Sequence, residues 1–224
     1  MRKITLLLIL LSSSTFSQKK SLELFIKSGV SHSTQQADYN PISHIRPFNK
    51  GIQGCFINLG LEKRLSPKIS LTFGCQFLEK GFKVTDKYYY SYTENKDEEY
   101  QYRLNYLEAP LCINYQTNGR SKLLFGIVPS YLIHENYRYR YKTVLNTYIT
   151  PTMVDYYHSN PYSDAFDRLN KWDCSASIGL NYKVYEKIYF EGTIQKGFVR
   201  IDKWKEDDLN YNFSFLLGLK YNLN

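Results

Sequence analysis

The chain has 224 residues, 29 Lys and Arg against 21 Asp and Glu, and a formal net charge of +8, a length that suits one domain. Aromatic residues make up 17% of it and alanine occurs only at Ala37, Ala109, Ala165 and Ala176; because alanine is the best helix former and aromatics favour strands, this argues against a helical bundle and for an all-β chain. A mean hydropathy of −0.45 excludes a helical membrane protein, which needs apolar runs of about twenty residues, but leaves open a membrane barrel, whose strands are only half apolar.

Residues 1–17 read as a secretory signal: Arg2 and Lys3, then the apolar run Ile4 to Leu11, then the small-residue exit Ser12 to Ser17. Cleavage is expected near Ser17, leaving residues 18–224 as one domain, and without a cysteine at the exit a lipoprotein anchor is not expected. Strands with period-2 alternation follow. Leu22 to Ser31 is the least regular. Cys55, Ile57, Leu59 and Leu61 alternate with Gly54, Phe56, Asn58, Gly60 and Glu62; Ile69 to Phe77 alternates with Ser70, Thr72, Gly74 and Gln76. Leu107, Ala109, Leu111, Ile113 and Tyr115 alternate with Glu108, Pro110, Cys112 and Asn114. Leu123, Phe125, Ile127 and Tyr131 share a face, as do Trp172 to Val184 at every second residue, then Ile188, Phe190, Gly192 and Ile194. Tyr211, Phe213, Phe215, Leu217, Leu219, Tyr221 and Leu223 close the series, opposite Asn212, Ser214, Leu216, Gly218, Lys220 and Asn222.

These segments amount to eight strands. The links Leu65 to Pro67, Gln116 to Arg120 and Tyr185 to Lys187 are short; His32 to Lys50, Thr85 to Gln101, His134 to Lys171 and Asp202 to Leu209 are long and polar. Short and long links in alternation put all the short turns at one end, the layout of an antiparallel up-and-down transmembrane β-barrel in a Gram-negative outer membrane. A soluble, secreted lipocalin-like carrier of a small apolar ligand also has one apolar face per strand, turned inward instead. Here the polar face carries Ser, Thr, Gly and Asn rather than long charged side chains, which suits a confined interior. The apolar face carries aromatics near the strand ends: Tyr115, Tyr182 and Tyr221 at the short-turn end, Phe77, Tyr131, Trp172 and Tyr211 at the other. Two aromatic girdles around an aliphatic band favour the membrane reading.

The signal ending Ser17-Gln18, the strand Asn105-Tyr106-Leu107-Glu108-Ala109-Pro110-Leu111 and the terminal Leu216-Leu217-Gly218-Leu219-Lys220-Tyr221 resemble the PorT-like outer-membrane β-barrel proteins of Bacteroidota. The resemblance is loose and spans the mature chain, with Tyr106 to Leu111 its most specific piece. It implies an outer-membrane barrel and, for some relatives, a part in protein secretion. The chain ends at Asn224 with Tyr221 three residues short of the end, where the family's pattern has a terminal aromatic.

Little points to catalysis. His32, His44, His134 and His158 lie in links or at strand ends without ligand spacing, and no phosphate loop, nucleophile elbow or triad appears, so no enzyme activity, metal or cofactor is expected. Cys55, Cys75, Cys112 and Cys174 read as small apolar residues, and Cys55 with Cys75 is the one pair that a hairpin could bring together. The acidic run Asp97-Glu98-Glu99, near Asp86 and Glu94, lacks a calcium-loop frame and reads as a solvated loop tip. Tyr88 to Tyr90, Tyr92, and Tyr137, Tyr139 and Tyr141 beside Arg138, Arg140 and Lys142 suit either a recognition surface or strands continued above the bilayer. By parity Glu62, Glu108, Glu191 and Lys220 point into the lumen, where charges must pair. The expectation is an outer-membrane barrel in contact with lipid and lipopolysaccharide. It would act through external loops in binding, adhesion or secretion and assembly support, with nucleic acid excluded as a partner for an exported chain.

Overall fold

The computed structural model describes residues 22–37, 48–91, 94–145, 153–156, 169–201 and 210–223. The expected signal, residues 1–17, lies outside these, as do His44, Tyr92 and His158. The strands are β1 (Leu22–Ala37), β2 (Phe48–Arg64), β3 (Ile69–Ser91), β4 (Glu94–Glu108), β5 (Leu111–Gln116), β6 (Ser121–Leu145), β7 (Met153–Tyr156), β8 (Trp172–Lys183), β9 (Ile188–Gly197) and β10 (Asn210–Asn222).

These ten segments make a ring of eight antiparallel strands. Strands β4 and β5 occupy one place in the ring, because Pro110 has no N–H to give the ladder and interrupts it there. The gap is bridged: Gly74 N donates to Pro110 O at 3.2 Å and Ala109 N to Pro129 O at 2.8 Å. The short β7 pairs only with β6, outside the ring. Closure comes between the first and last strands, with Val30 opposite Leu217 and Leu223 N donating to Leu24 O at 2.8 Å. The ring is the eight-stranded up-and-down barrel that the alternation implies.

The faces exclude the soluble carrier. Val30 is 61% exposed, Leu59 54% and Ile178 50%, all on the outside of the ring, while Ser175, Ser214 and Asn58 are buried inside it. Burial of apolar surface drives folding in water, so a soluble barrel turned this way would expose its whole apolar face. Only an apolar solvent around the wall makes this arrangement stable. Along β8, the ten residue steps from Trp172 to Tyr182, at about 3.3 Å each and tilted by about 40°, rise about 25 Å, the height of a lipid-facing band.

Of the links expected to be loops, Thr85 to Gln101 is strand throughout its described residues, and His134 to Lys171 is strand over 134–145 and 153–156. The β3–β4 register runs on through Asp86↔Glu98, Lys87↔Asp97 and Tyr89↔Asn95, and the β4–β6 register through Gln101↔Arg138, Glu99↔Arg140 and Asp97↔Lys142. Apolar alternation stops at the membrane boundary, since no lipid lies beyond it, but backbone pairing does not need it. Opposite charges on neighbouring strands support the pairing at some steps, as in the ion pair of Lys83 and Glu99 at 2.6 Å, although Asp86 stands opposite Glu98. The acidic run at Asp97 to Glu99 is therefore part of a paired strand, not a loop tip. Likewise His32 lies within β1 and His134 within β6.

The cysteine pair is not brought together. Leu59, not Cys55, stands opposite Cys75, and Cys55 is four residues farther along β2. All four cysteines are free. The β2–β3 register also shifts between Gly51 and Phe56. Opposite this bulge Gly81 has φ 155°, and a Cβ there would sit 2.0 Å from Tyr102 O, a position that only glycine fills without strain.

Candidate functional site

Inward-facing side chains fill the lumen in two tiers. Four acids and four lysines line the charged part, all buried or nearly so: Glu62, Glu191, Lys27, Lys122 and Lys220 nearer the short turns, and Glu108, Asp173 and Lys80 farther up, beside the levels of Phe77, Tyr131 and Trp172. Glu62 takes Lys122 Nζ at 2.6 Å and Ser70 Oγ at 2.6 Å on Oε1, and Lys220 Nζ at 2.5 Å on Oε2. Glu191 accepts from Lys27 Nζ at 2.6 Å and Asn181 Nδ2 at 3.1 Å. Glu108 accepts from Gln76 Nε2 at 2.8 Å and Ser130 Oγ at 3.2 Å, with Lys80 Nζ 2.7 Å away as an ion pair lacking hydrogen-bond angles. Asp173 accepts from Asn212 Nδ2 at 2.8 Å.

Of the four lumen charges named from sequence, only Glu62 and Lys220 pair with each other; Glu108 and Glu191 are neutralised by Lys80 and Lys27. Lys27 lies on the strand whose alternation was least regular, and Lys80 lies beyond the expected end of its strand at Phe77. Lys122 could have been found by parity, since it is two residues from the inward-facing Leu124. The lysines also lie over rings: Lys220 Nζ is 4.3 Å from the Phe25 ring centre and Lys80 Nζ is 4.9 Å from that of Tyr106. Such contacts stabilise cations that have lost their water.

Toward the long-loop end the filling is apolar. Phe82, Leu104, Tyr106, Leu132, Leu169 and Ile201 form one buried cluster. Leu169 precedes β8 and Ile201 follows β9, so the roots of two external links fold over the mouth. They are held there by Leu132 N donating to Lys171 O at 2.7 Å and Asn170 N donating to Ile201 O at 2.7 Å. Above this plug Phe82 stacks on Tyr102 at 4.8 Å, and Tyr102 meets Tyr137 at 4.9 Å. Beside Lys27, Glu191 and Lys220 the lumen keeps a void of about 30 Å³, room for one or two waters. Liposomes carrying the barrel are therefore expected not to swell in an isotonic pentose solution, and swelling at the rate given by a general porin would show that the plug does not hold.

The outer wall carries the aromatics named from sequence. Tyr115, Tyr182 and Tyr221 are exposed near the short turns; Phe77, Tyr131, Trp172 and Tyr211 lie on the same face at the other end, with Tyr131 edge-on to Trp172 at 4.8 Å. Beyond them β3, β4 and β6 continue. Strand β6 has 25 residues against 10 in β9, so at about 3.3 Å per residue it is about 80 Å long, more than the band requires. The projection is a three-stranded sheet of β3, β4 and β6, with β7 on the β6 edge.

The sequence matches the family described as outer membrane protein beta-barrel domain over residues 16–203. No curated protein matches it. Similar solved structures include the attachment invasion locus protein Ail of Yersinia pestis, at 10% identity and a TM-score of 0.44 over 91% of this chain and 99% of that one. Neisserial surface protein A aligns at 10% identity and a TM-score of 0.46, over 89% and 97%. The outer membrane protein OprG of Pseudomonas aeruginosa aligns at 10% identity and 0.40, over 92% and 97%.

Proposed function

This chain belongs to the outer membrane protein β-barrel domain family and sits in the outer membrane, and from that premise we propose that it is a non-enzymatic barrel acting through its external surface in binding or adhesion. The observation that carries this reading is the closed lumen beneath a projecting sheet. A plugged, charge-paired interior offers no path for a solute, whereas β3, β4 and β6 carry backbone pairing well past the wall. Long strands stiffen what would otherwise be loops, so the surface is presented with little ordering entropy lost on binding. Its alternating Tyr and Arg residues are of the kind that dominates recognition surfaces.

The same proposal includes removal of residues 1–17 as a signal, residues 18–224 forming the mature domain, and the aromatics from Phe77 to Tyr221 standing at the headgroup levels. Lipopolysaccharide phosphates would then meet basic groups just above the external girdle, with Arg103, paired with Glu79 at 2.7 Å, on the outer wall there. Secretion support is the second reading, favoured by the likeness of Tyr106 to Leu111 to the PorT-like proteins.

Asn95, at the outer end of β4, and Asn118, in a short turn, test the reading directly. A photo-crosslinking residue at Asn95 is expected to capture a partner on intact cells; purified barrel without the crosslinker, added in excess, should compete that adduct away, and barrel with residues 84–101 removed should not. A tag at Asn118 should be reached only after the outer membrane is breached. Adducts from Asn118 alone, with none from Asn95, would overturn an external mode of action.

A further inference from the structure

The short-turn mouth of the barrel holds a cavity of about 250 Å³ that the external mode of action does not use. Its walls come from inward-facing positions on six ring strands, and the registers show this strand by strand. Arg64 stands opposite Ser70, Ser70 opposite Asn114, Gln116 opposite Lys122, Lys122 opposite Asn181, and Lys183 opposite Tyr189. Since Ser70, Asn114 and Asn181 are buried in the lumen, Arg64, Gln116, Lys122, Lys183 and Tyr189 share that inner face. Lys68, in the β2–β3 turn, completes the lining.

Four cations line this cavity, Arg64, Lys68, Lys122 and Lys183, and no carboxylate does. Of the acids at this end, Glu62 and Glu23 are already engaged, and Glu186 lies exposed in the β8–β9 turn outside the lining. Glu62, at the cavity floor, has one carboxylate oxygen on Lys122 and Ser70 and the other on Lys220, and it is only 3% exposed. Glu23 accepts from Asn222 Nδ2 at 2.8 Å and stands 3.8 Å from Arg64. Among the described residues neither Lys68 nor Lys183 makes an ion pair. Like charges gathered in a concave mouth repel one another and focus a positive potential along its axis.

We propose that this mouth binds a compact, multiply charged oxyanion of the phosphate class. A guanidinium fork and ammonium groups converging from several strands match the several oxygens of such an anion. The volume lies just below the range of about 300–1,000 Å³ usual for ligand pockets, which suits a small anion rather than a large organic ligand. The cations face the lumen axis, while the wall outside them at this level is Leu65, Tyr115, Tyr182 and Tyr221. A soluble periplasmic anion therefore has direct access, and an inner-leaflet phospholipid headgroup is the other source of the same chemistry.

Calorimetric titration of the full mature barrel in neutral detergent, with inorganic phosphate and pyrophosphate as probes, tests this. Saturable binding is expected, tighter for pyrophosphate, and weakening as sodium chloride is raised. Lys183→Gln and Arg64→Gln are each expected to weaken it about tenfold, the effect of losing one charge-assisted hydrogen bond, and Lys183→Arg should keep it. Repeating the titration in phosphatidylcholine nanodiscs with and without phosphatidylglycerol separates the sources. Unchanged pyrophosphate binding supports a soluble anion, and competition by phosphatidylglycerol supports a headgroup. No saturable heat with either probe, or equal affinity in variants that retain heat-modifiable migration, would overturn the proposal. Cutting back the β3–β4 hairpin should leave this binding intact, so it is independent of the external surface.

Discussion

Glu62→Gln is expected to lower the unfolding free energy by about 3–5 kcal/mol, the usual cost of removing one partner of a buried ion pair. The carboxylate holds Lys122 and Lys220 together at 2.6 and 2.5 Å, and the Lys220–Glu62 pair is only 4% exposed on each side. An amide keeps the shape but supplies no charge, so two lysines are left in a narrow interior without their counter-ion. Denaturant titration in lipid vesicles, followed by tryptophan fluorescence, measures the loss. Pairing the change with Lys220→Met removes one of the stranded charges and should recover part of the stability, a coupling that a double-mutant cycle reads directly. A Glu62→Gln barrel within about 0.5 kcal/mol of the wild type would mean that the charges are hydrated rather than held in a dry core.

The second large effect is expected on the opposite face. Ile178 lies on β8 between Trp172 and Tyr182, beside Phe125 of β6 and Ile194 of β9, and is 50% exposed on the outer wall. A lysine at the bilayer midplane of a barrel wall costs about 2–4 kcal/mol, so Ile178→Lys should fold less stably by that amount and insert more slowly into thick bilayers. The reciprocal change is Ser175→Leu, three residues away on the inner face and fully buried. It forces bulk into a filled lumen, at a cost of about 1–3 kcal/mol. In a barrel turned the other way Ser175 would face solvent and accept leucine freely. Equal stability of Ser175→Leu and wild type would therefore contradict the assigned faces.

Alternation was legible where the wall is bathed in lipid on one side and packed on the other. Along β8 and β10 each residue experiences one of two contrasting environments, and the sequence carries that contrast from Trp172 to Tyr182 and from Tyr211 to Leu223, with Leu216 the apolar exception on the inner face. Above the wall the contrast ends. Thr85 to Ser91, Glu94 to Gln101 and His134 to Leu145 carry no apolar alternation, so they look like loops although they pair as strands. Charge complementarity between Lys87, Asp97 and Lys142 was the available signal, and it shows only once the register is known. The apparent match of Cys55 with Cys75 failed for the same reason. A hairpin's register depends on where its turn sits, and Leu65 N and Ser66 N both donating to Ile69 O set it so that Leu59 meets Cys75.

The sequence alone carries the barrel's strand number, its inside-out faces and its asymmetry of turns, because each follows from local period and composition. It also assigned Glu62, Glu108, Glu191 and Lys220 to the inner face, since parity is a local property. Their partners were decided only by the closed ring. Lys27 lies 164 residues from Glu191, and Lys220 lies 158 from Glu62; they meet because closure puts the first and last strands side by side and shear sets the height of each residue. The same closure gathers Arg64, Lys68, Lys122 and Lys183 around one mouth. These residues are scattered in sequence and share no motif, and their convergence depends on the shear of the ring, a quantity that no single strand contains.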